Sequence, residues 1–85
     1  MQVQKVNTKI VAMNFRKMRN DLNYSQRELA KVLGYKNHNA VTSWEMGRTC
    51  PPLHIVVKVM EIAELPMEDL YDVLFDSEYI LPQIA

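Results

Sequence analysis

No run of eighteen apolar residues occurs in this sequence, which excludes a membrane-spanning helix. There is a single cysteine, Cys50, so no internal disulfide can form, which agrees with a reducing compartment. Residues 1–5 lack the apolar stretch of a secretory leader, and the expectation is an intracellular protein. The two histidines, His38 and His54, do not fall with Cys50 at metal-ligand spacing, so no metal site is expected. No carboxylate–histidine constellation emerges either, and the chain reads as neither an enzyme nor a cofactor binder. Internal repeats and low-complexity tracts are also missing. What remains is a globular composition, 48% hydrophobic and 24% charged, in 85 residues: one domain with a single core.

Net charge is zero, but it is unevenly spread. Residues 1–50 hold nine basic side chains against three acidic ones, a net +6; residues 51–85 hold Lys58 alone against seven acidic ones, a net −6. Such a dipole suggests one end that meets an anion and one that does not.

Five helices can be read from apolar spacing and stop signals. The first covers about residues 10–21, with Val11, Phe15, Met18 and Leu22 on one face, and Asn23-Tyr24 breaks it. Ser25 is a good N-cap, and Glu28 three residues on completes a capping box. Leu29, Ala30 and Leu33 then face inward, and Gly34 supplies the left-handed residue that ends the second helix. Lys36-Asn37-His38-Asn39 forms a turn, with Asn37 as the cap of a short third helix closed by Gly47. After the loop 48–52, a strongly apolar fourth helix covers about residues 52–64. A helix with so little polar surface is buried on most sides or shares a face with a partner. The fifth starts at Pro66 and places Met67, Leu70, Tyr71, Leu74 and Phe75 at helical spacing. Residues 1–9 read as an arm and residues 76–85 as a tail. The apolar run from Tyr79 to Ile84 is expected to pack back on the domain or onto another subunit.

Two short helices joined by a glycine-containing turn, over residues 25–47, form the pattern of a helix-turn-helix, whose second helix can lie in the major groove of DNA. The fuller pattern resembles the phage-repressor-like (Cro/C1, Xre-type) helix-turn-helix family over residues 10–75. It rests on Phe15-Arg16-Lys17-Met18-Arg19, on Ser25-Gln26-x-Glu28-Leu29-Ala30 and on Val41-x-x-Trp44-Glu45-x-Gly47, and continues through Pro51-x-Leu53 and the Leu70 region. The resemblance implies an all-α, five-helix, lambda-repressor-like DNA-binding domain. One departure stands out: the chain between Gly34 and Trp44 is one residue longer than the family pattern, with the addition somewhere in residues 35–39.

Successive helical residues turn by about 100°, so Val41 and Trp44 lie together on the core side. The opposite face holds Asn39, Thr42, Ser43 and Met46, with His38 on its flank. Asparagine can pair bidentately with adenine, and hydroxyls serve several bases. Asn39 and Ser43 are therefore the first candidates for base contact, followed by Thr42 and His38. The resemblance implies that Gln26 bonds a phosphate and braces the recognition helix. Arg48 is placed to meet the same backbone, and Arg27, Lys36, Arg16 and Lys17 are further phosphate candidates. Arg19 and Glu45 match the positions of a structural ion pair in the resembled family, and Trp44 reads as core.

These features point to a sequence-specific regulator of transcription, a repressor of phage or bacterial type, working in the cytoplasm at the nucleoid. The expected partner is double-stranded DNA, bound as a homodimer through helices four and five and the tail; no small-molecule site is evident. A second reading is a protein-interaction module on the same scaffold, such as an antitoxin or an anti-repressor's target. Fold does not separate the two, and the +6 on the first fifty residues favours DNA.

Overall fold

A computed structural model describes residues 6–82. In order, the elements are α1 (Thr8–Asp21), α2 (Gln26–Val32), α3 (Asn39–Glu45), α4 (Leu53–Ile62), a 3-10 turn (Met67–Asp69) and, directly continuing it, α5 (Leu70–Phe75). The fold is all-α. α1 starts two residues before the apolar pattern does, because the Asn7 side chain accepts from the backbone N–H groups of Lys9 (3.0 Å) and Ile10 (3.3 Å). The expected arm is shortened accordingly, and its residues 1–5 lie outside the described residues.

Four helices end the same way. The chain turns left-handed at Asn23, Gly34, Gly47 and Glu64, and the following N–H reaches back over the last turn. These bonds run from Tyr24 to Arg19 O, Tyr35 to Ala30 O, Arg48 to Ser43 O and Leu65 to Met60 O. Each satisfies a carbonyl that the helix end leaves open. Gly34 does what the sequence suggests; at Glu64 the same conformation falls on a residue that pays a Cβ clash for it.

The core joins Phe15 and Met18 of α1, Leu29 and Ala30 of α2, Val41 and Trp44 of α3, and Ile55, Val56, Val59 and Met60 of α4, with Val73 from α5. Trp44 meets Phe15 edge-on at 5.6 Å and Tyr35 at 5.5 Å. The apolar α4 buries one face, Ile55, Val56, Val59 and Met60, and Leu53 remains exposed.

The fifth helix departs from expectation in phase. Its first turn winds as a 3-10 helix, and the α-helix that continues it turns inward the i, i+3 and i+4 positions counted from Leu70. Val73 becomes the fully buried residue, flanked by Leu70 and Leu74, while Met67 and Tyr71 turn to solvent. The beginning of the tail folds back on its own domain. Tyr79 is buried, its hydroxyl donates to Asp69 (2.9 Å), and its carbonyl accepts from Lys17 Nζ (2.9 Å). Burial, then the bond to Asp69 and the charges of Asp69 and Asp72, push the Tyr79 phenol well above the ordinary tyrosine range. Leu81 packs on the core, whereas Ile80 stays exposed.

Candidate nucleic-acid interface

α2 begins with the capping box: Glu28 N–H donates to Ser25 Oγ and Ser25 N–H to Glu28 Oε1, both at 3.0 Å. The Ser25 backbone N–H, with its hydroxyl beside it, holds the Glu28 carboxyl below the ordinary carboxylate range. This fixes Gln26 as the first residue of α2, facing α3.

α3 is held from behind by a charged bracket. The Glu45 carboxylate is fully buried and meets Arg19 in a fork: Nε to Oε2 at 2.6 Å and Nη2 to Oε1 at 2.9 Å. Arg19 Nη1 also donates to Tyr24 O (2.8 Å), tying down the α1–α2 corner. The Gln26 amide donates to Glu45 Oε1 at 3.2 Å, and Arg16 Nε stands 3.5 Å from the same oxygen. Arg16 Nη2 donates to the Glu45 carbonyl (2.9 Å), so a cation sits at the C-terminal end of α3 where the helix dipole favours one.

From Gln26 the hydrogen bonds continue into the helix. Thr42 Oγ1 donates to Gln26 Oε1 at 2.7 Å, and His38 Nδ1 lies 3.1 Å from Thr42 Oγ1. Five side chains from α1, α2, α3 and the turn thus form one connected line.

The longer turn is absorbed ahead of α3. Tyr35 is pinned on Trp44, the bend occupies residues 36–38, and Val41 and Trp44 keep their core positions. Formally the N-cap is His38, without a side-chain cap of its own. Asn37 serves from one residue further out, its Oδ1 accepting from Asn39 N–H at 3.0 Å.

The candidate base readers fall unequally. Asn39 is exposed on the first turn of α3, Ser43 is half-buried, and Met46 is exposed at the far end. Thr42 gives its hydroxyl proton to Gln26, leaving its methyl as the free group, and His38 is half-buried. Among the cations, Arg27, Lys36 and Arg48 are exposed, and the Arg16 side chain remains 54% exposed despite its bonds. Lys17 is placed differently from the sequence reading: it points to the tail and is held by Tyr79 O. Gln26 is turned toward α3, where its two amide ends bond Glu45 and Thr42.

Two residues escaped the sequence reading. Lys9, assigned there to the arm, belongs to α1 and passes beside Gly47, where a shallow groove is lined by Lys9, Met13, Arg16 and Met46. Asn14 is completely buried, and its Nδ2 donates to Val73 O (2.9 Å) and Asp76 O (2.8 Å), with Asp72 O at 3.5 Å. A helix starting at the Asn7 cap would have revealed the first; nothing in the sequence distinguishes Asn14 from a solvated asparagine. Among the described residues no group of three or more His, Cys, Asp or Glu is placed to hold a metal ion, and no helix is long and apolar enough to cross a membrane.

A capped helix, a turn and a second helix braced by a buried ion pair, all on the basic half, define a helix-turn-helix protein. A helix-turn-helix family model matches residues 15–70, from within α1 to the start of α5. The chain belongs to the Cro/C1-type helix-turn-helix family and is a DNA-binding regulator of that class. No curated protein and no solved structure matches it.

Proposed function

We propose that this chain is a repressor that binds a pseudo-palindromic operator as a homodimer, with α3 of each copy in the major groove. The observation that carries the reading is the division of α3. One side is locked by Trp44, Val41 and the Arg19–Glu45 pair, while Asn39 and Ser43 stand on the other side of the same helix. A reading helix needs such a fixed back and a polar front, since a base contact has value only when its position is set.

In this reading Asn39 and Ser43 reach base edges first, the Thr42 methyl offers an apolar contact, and His38 stands beside them. Arg27, Lys36, Arg48 and Arg16 meet phosphates, together with backbone N–H groups at the front of α2; Lys17 is left out because the tail holds it. Repression asks only for occupancy of the operator. The dimer forms on the acidic half, where Leu53, Met67, Tyr71 and Ile80 expose apolar surface. A two-fold arrangement sets the two α3 helices about 34–36 Å apart, one turn of B-DNA.

Fluorescence anisotropy on random duplex at two salt concentrations, followed by selection of bound sequences, tests this. Salt-sensitive binding and a two-fold symmetric consensus are expected; binding indifferent to salt overturns the reading. Asn39→Ala should erase preference at one step per half-site, about 1–3 kcal/mol of discrimination, whereas Arg48→Ala should weaken all sequences alike. Sedimentation of the free protein as a monomer at micromolar concentrations would remove the dimer on the acidic half.

A further inference from the structure

The line of side chains behind α3 has a direction, and the direction decides the chemistry at its end. Glu45, as a carboxylate clamped by Arg19, can only accept. Gln26 must therefore offer Glu45 its Nε2–H, which leaves its Oε1 as the end facing Thr42. An amide oxygen only accepts, so the Thr42 hydroxyl donates to it. That proton being used, Thr42 Oγ1 has only lone pairs for His38, and the His38 Nδ1 must carry the proton of the 3.1 Å bond. In a neutral ring the remaining nitrogen, Nε2, is then a bare acceptor, and among the described residues it takes part in no hydrogen bond.

We propose that His38 is a specificity-determining residue that reads a base donor, the exocyclic amine of adenine or cytosine in the major groove, through Nε2. Its tautomer is set from behind by Thr42, Gln26 and Glu45. Guanine N7 and O6 and thymine O4 offer only acceptors in that groove and are refused by an acceptor nitrogen. This rests on the DNA-reading role proposed above. Thr42 and Gln26 are positioning residues: they touch no base through their polar atoms but determine what His38 presents.

Long-range nitrogen–proton NMR of the free protein, at a pH where the ring is neutral, reads the tautomer without DNA. The expected spectrum shows His38 protonated at Nδ1 and bare at Nε2; Thr42→Val, which keeps the shape and removes the hydroxyl, shifts the signals toward the Nε2–H form. A wild-type ring already in the Nε2–H form overturns the proposal. His54, on the exposed first turn of α4, is an internal control that Thr42→Val leaves unchanged.

Selection of bound duplexes supplies the second arm. Wild type should prefer adenine or cytosine on one strand at one step by about tenfold, and His38→Ala should lose that preference while keeping the one read by Asn39. Thr42→Val should weaken the same step only. An unchanged consensus in His38→Ala overturns the base-reading role. Failure of the wild type to select any duplex overturns the function proposed above and this role with it. The NMR result is read independently of both.

Discussion

α3 and α5 are both closed at their C-terminal ends by a side chain of α1, but with opposite chemistry. Arg16 caps α3 with a guanidinium that stays half in water, and Arg19 behind it shares a buried carboxylate. Asn14 caps α5 with a neutral amide sealed from solvent. The difference follows from depth. A cation complements the helix dipole at low cost where water still reaches it, as it does at Arg16. At the Asn14 position no water is available, and an unpaired charge would carry a large desolvation penalty, so an amide does the same capping. The end of α3 is thus closed by a cation and the end of α5 by a neutral amide.

The largest effect expected from breaking this contrast is at Glu45. Glu45→Ala leaves Arg19 without its partner in a nearly closed site, and urea unfolding should show a loss of about 3–5 kcal/mol. Asn14→Ala should cost less, about 1–3 kcal/mol, because it leaves one neutral carbonyl, Val73 O, without a donor, while Asp72 O and Asp76 O keep the backbone N–H groups of Asp76 and Tyr79. The order of the two losses is the sharper test: a larger loss at Asn14 would mean that the amide, not the ion pair, is the main fastening of α1.

A third prediction concerns the tail. Tyr79→Phe removes the bond to Asp69 and should cost about 0.5–1.5 kcal/mol at neutral pH. Its pH dependence has a definite sign. The folded protein holds the Tyr79 proton more tightly than the unfolded chain does, so the stabilisation is complete below about pH 10, where the unfolded tyrosine ionises, and is lost as pH rises beyond it. The wild type should therefore lose stability more steeply above pH 10 than Tyr79→Phe, as followed by chemical unfolding across that range. The smallest effect is a gain. Glu64→Gly relieves a left-handed residue at the end of α4 and should raise stability by about 0.5–1 kcal/mol, with α3 and DNA binding untouched.

The basic half was the more legible of the two in the sequence. Ser25 and Glu28 announce α2 because a capping box is local, and Gly34 announces its end because few other residues take that backbone shape. Trp44 as core and Arg19 with Glu45 as a pair could be read from the resemblance and the spacing. The acidic half was harder. The inward stripe of α5 is Leu70, Val73 and Leu74, yet Met67 and Tyr71 also stand at helical spacing from Leu70 and are as apolar, so the pattern alone does not choose between the two faces. Glu64 hides a helix end that a glycine would have marked. Asn14 finds its partners in backbone carbonyls 58 to 62 residues away, and carbonyls leave no trace in side-chain identity. Gln26 was identified at the right place, but its turn toward α3 requires knowing where Thr42 lies.

The shared Glu45 carboxylate carries a consequence for how relatives of this chain can diverge. Arg19, Gln26, Thr42 and Glu45 form one alphabet of donors and acceptors in which each letter constrains the next. Reversing one member leaves two like groups facing each other. Inheritance should therefore pass these positions on as a block: an acceptor gained at 26 has to be answered at 42 or 45, and lineages that change only one should be rare. Asn39 and Ser43 lie outside that block, so under the proposed base-reading role they can change quickly while the frame behind them changes slowly and in sets.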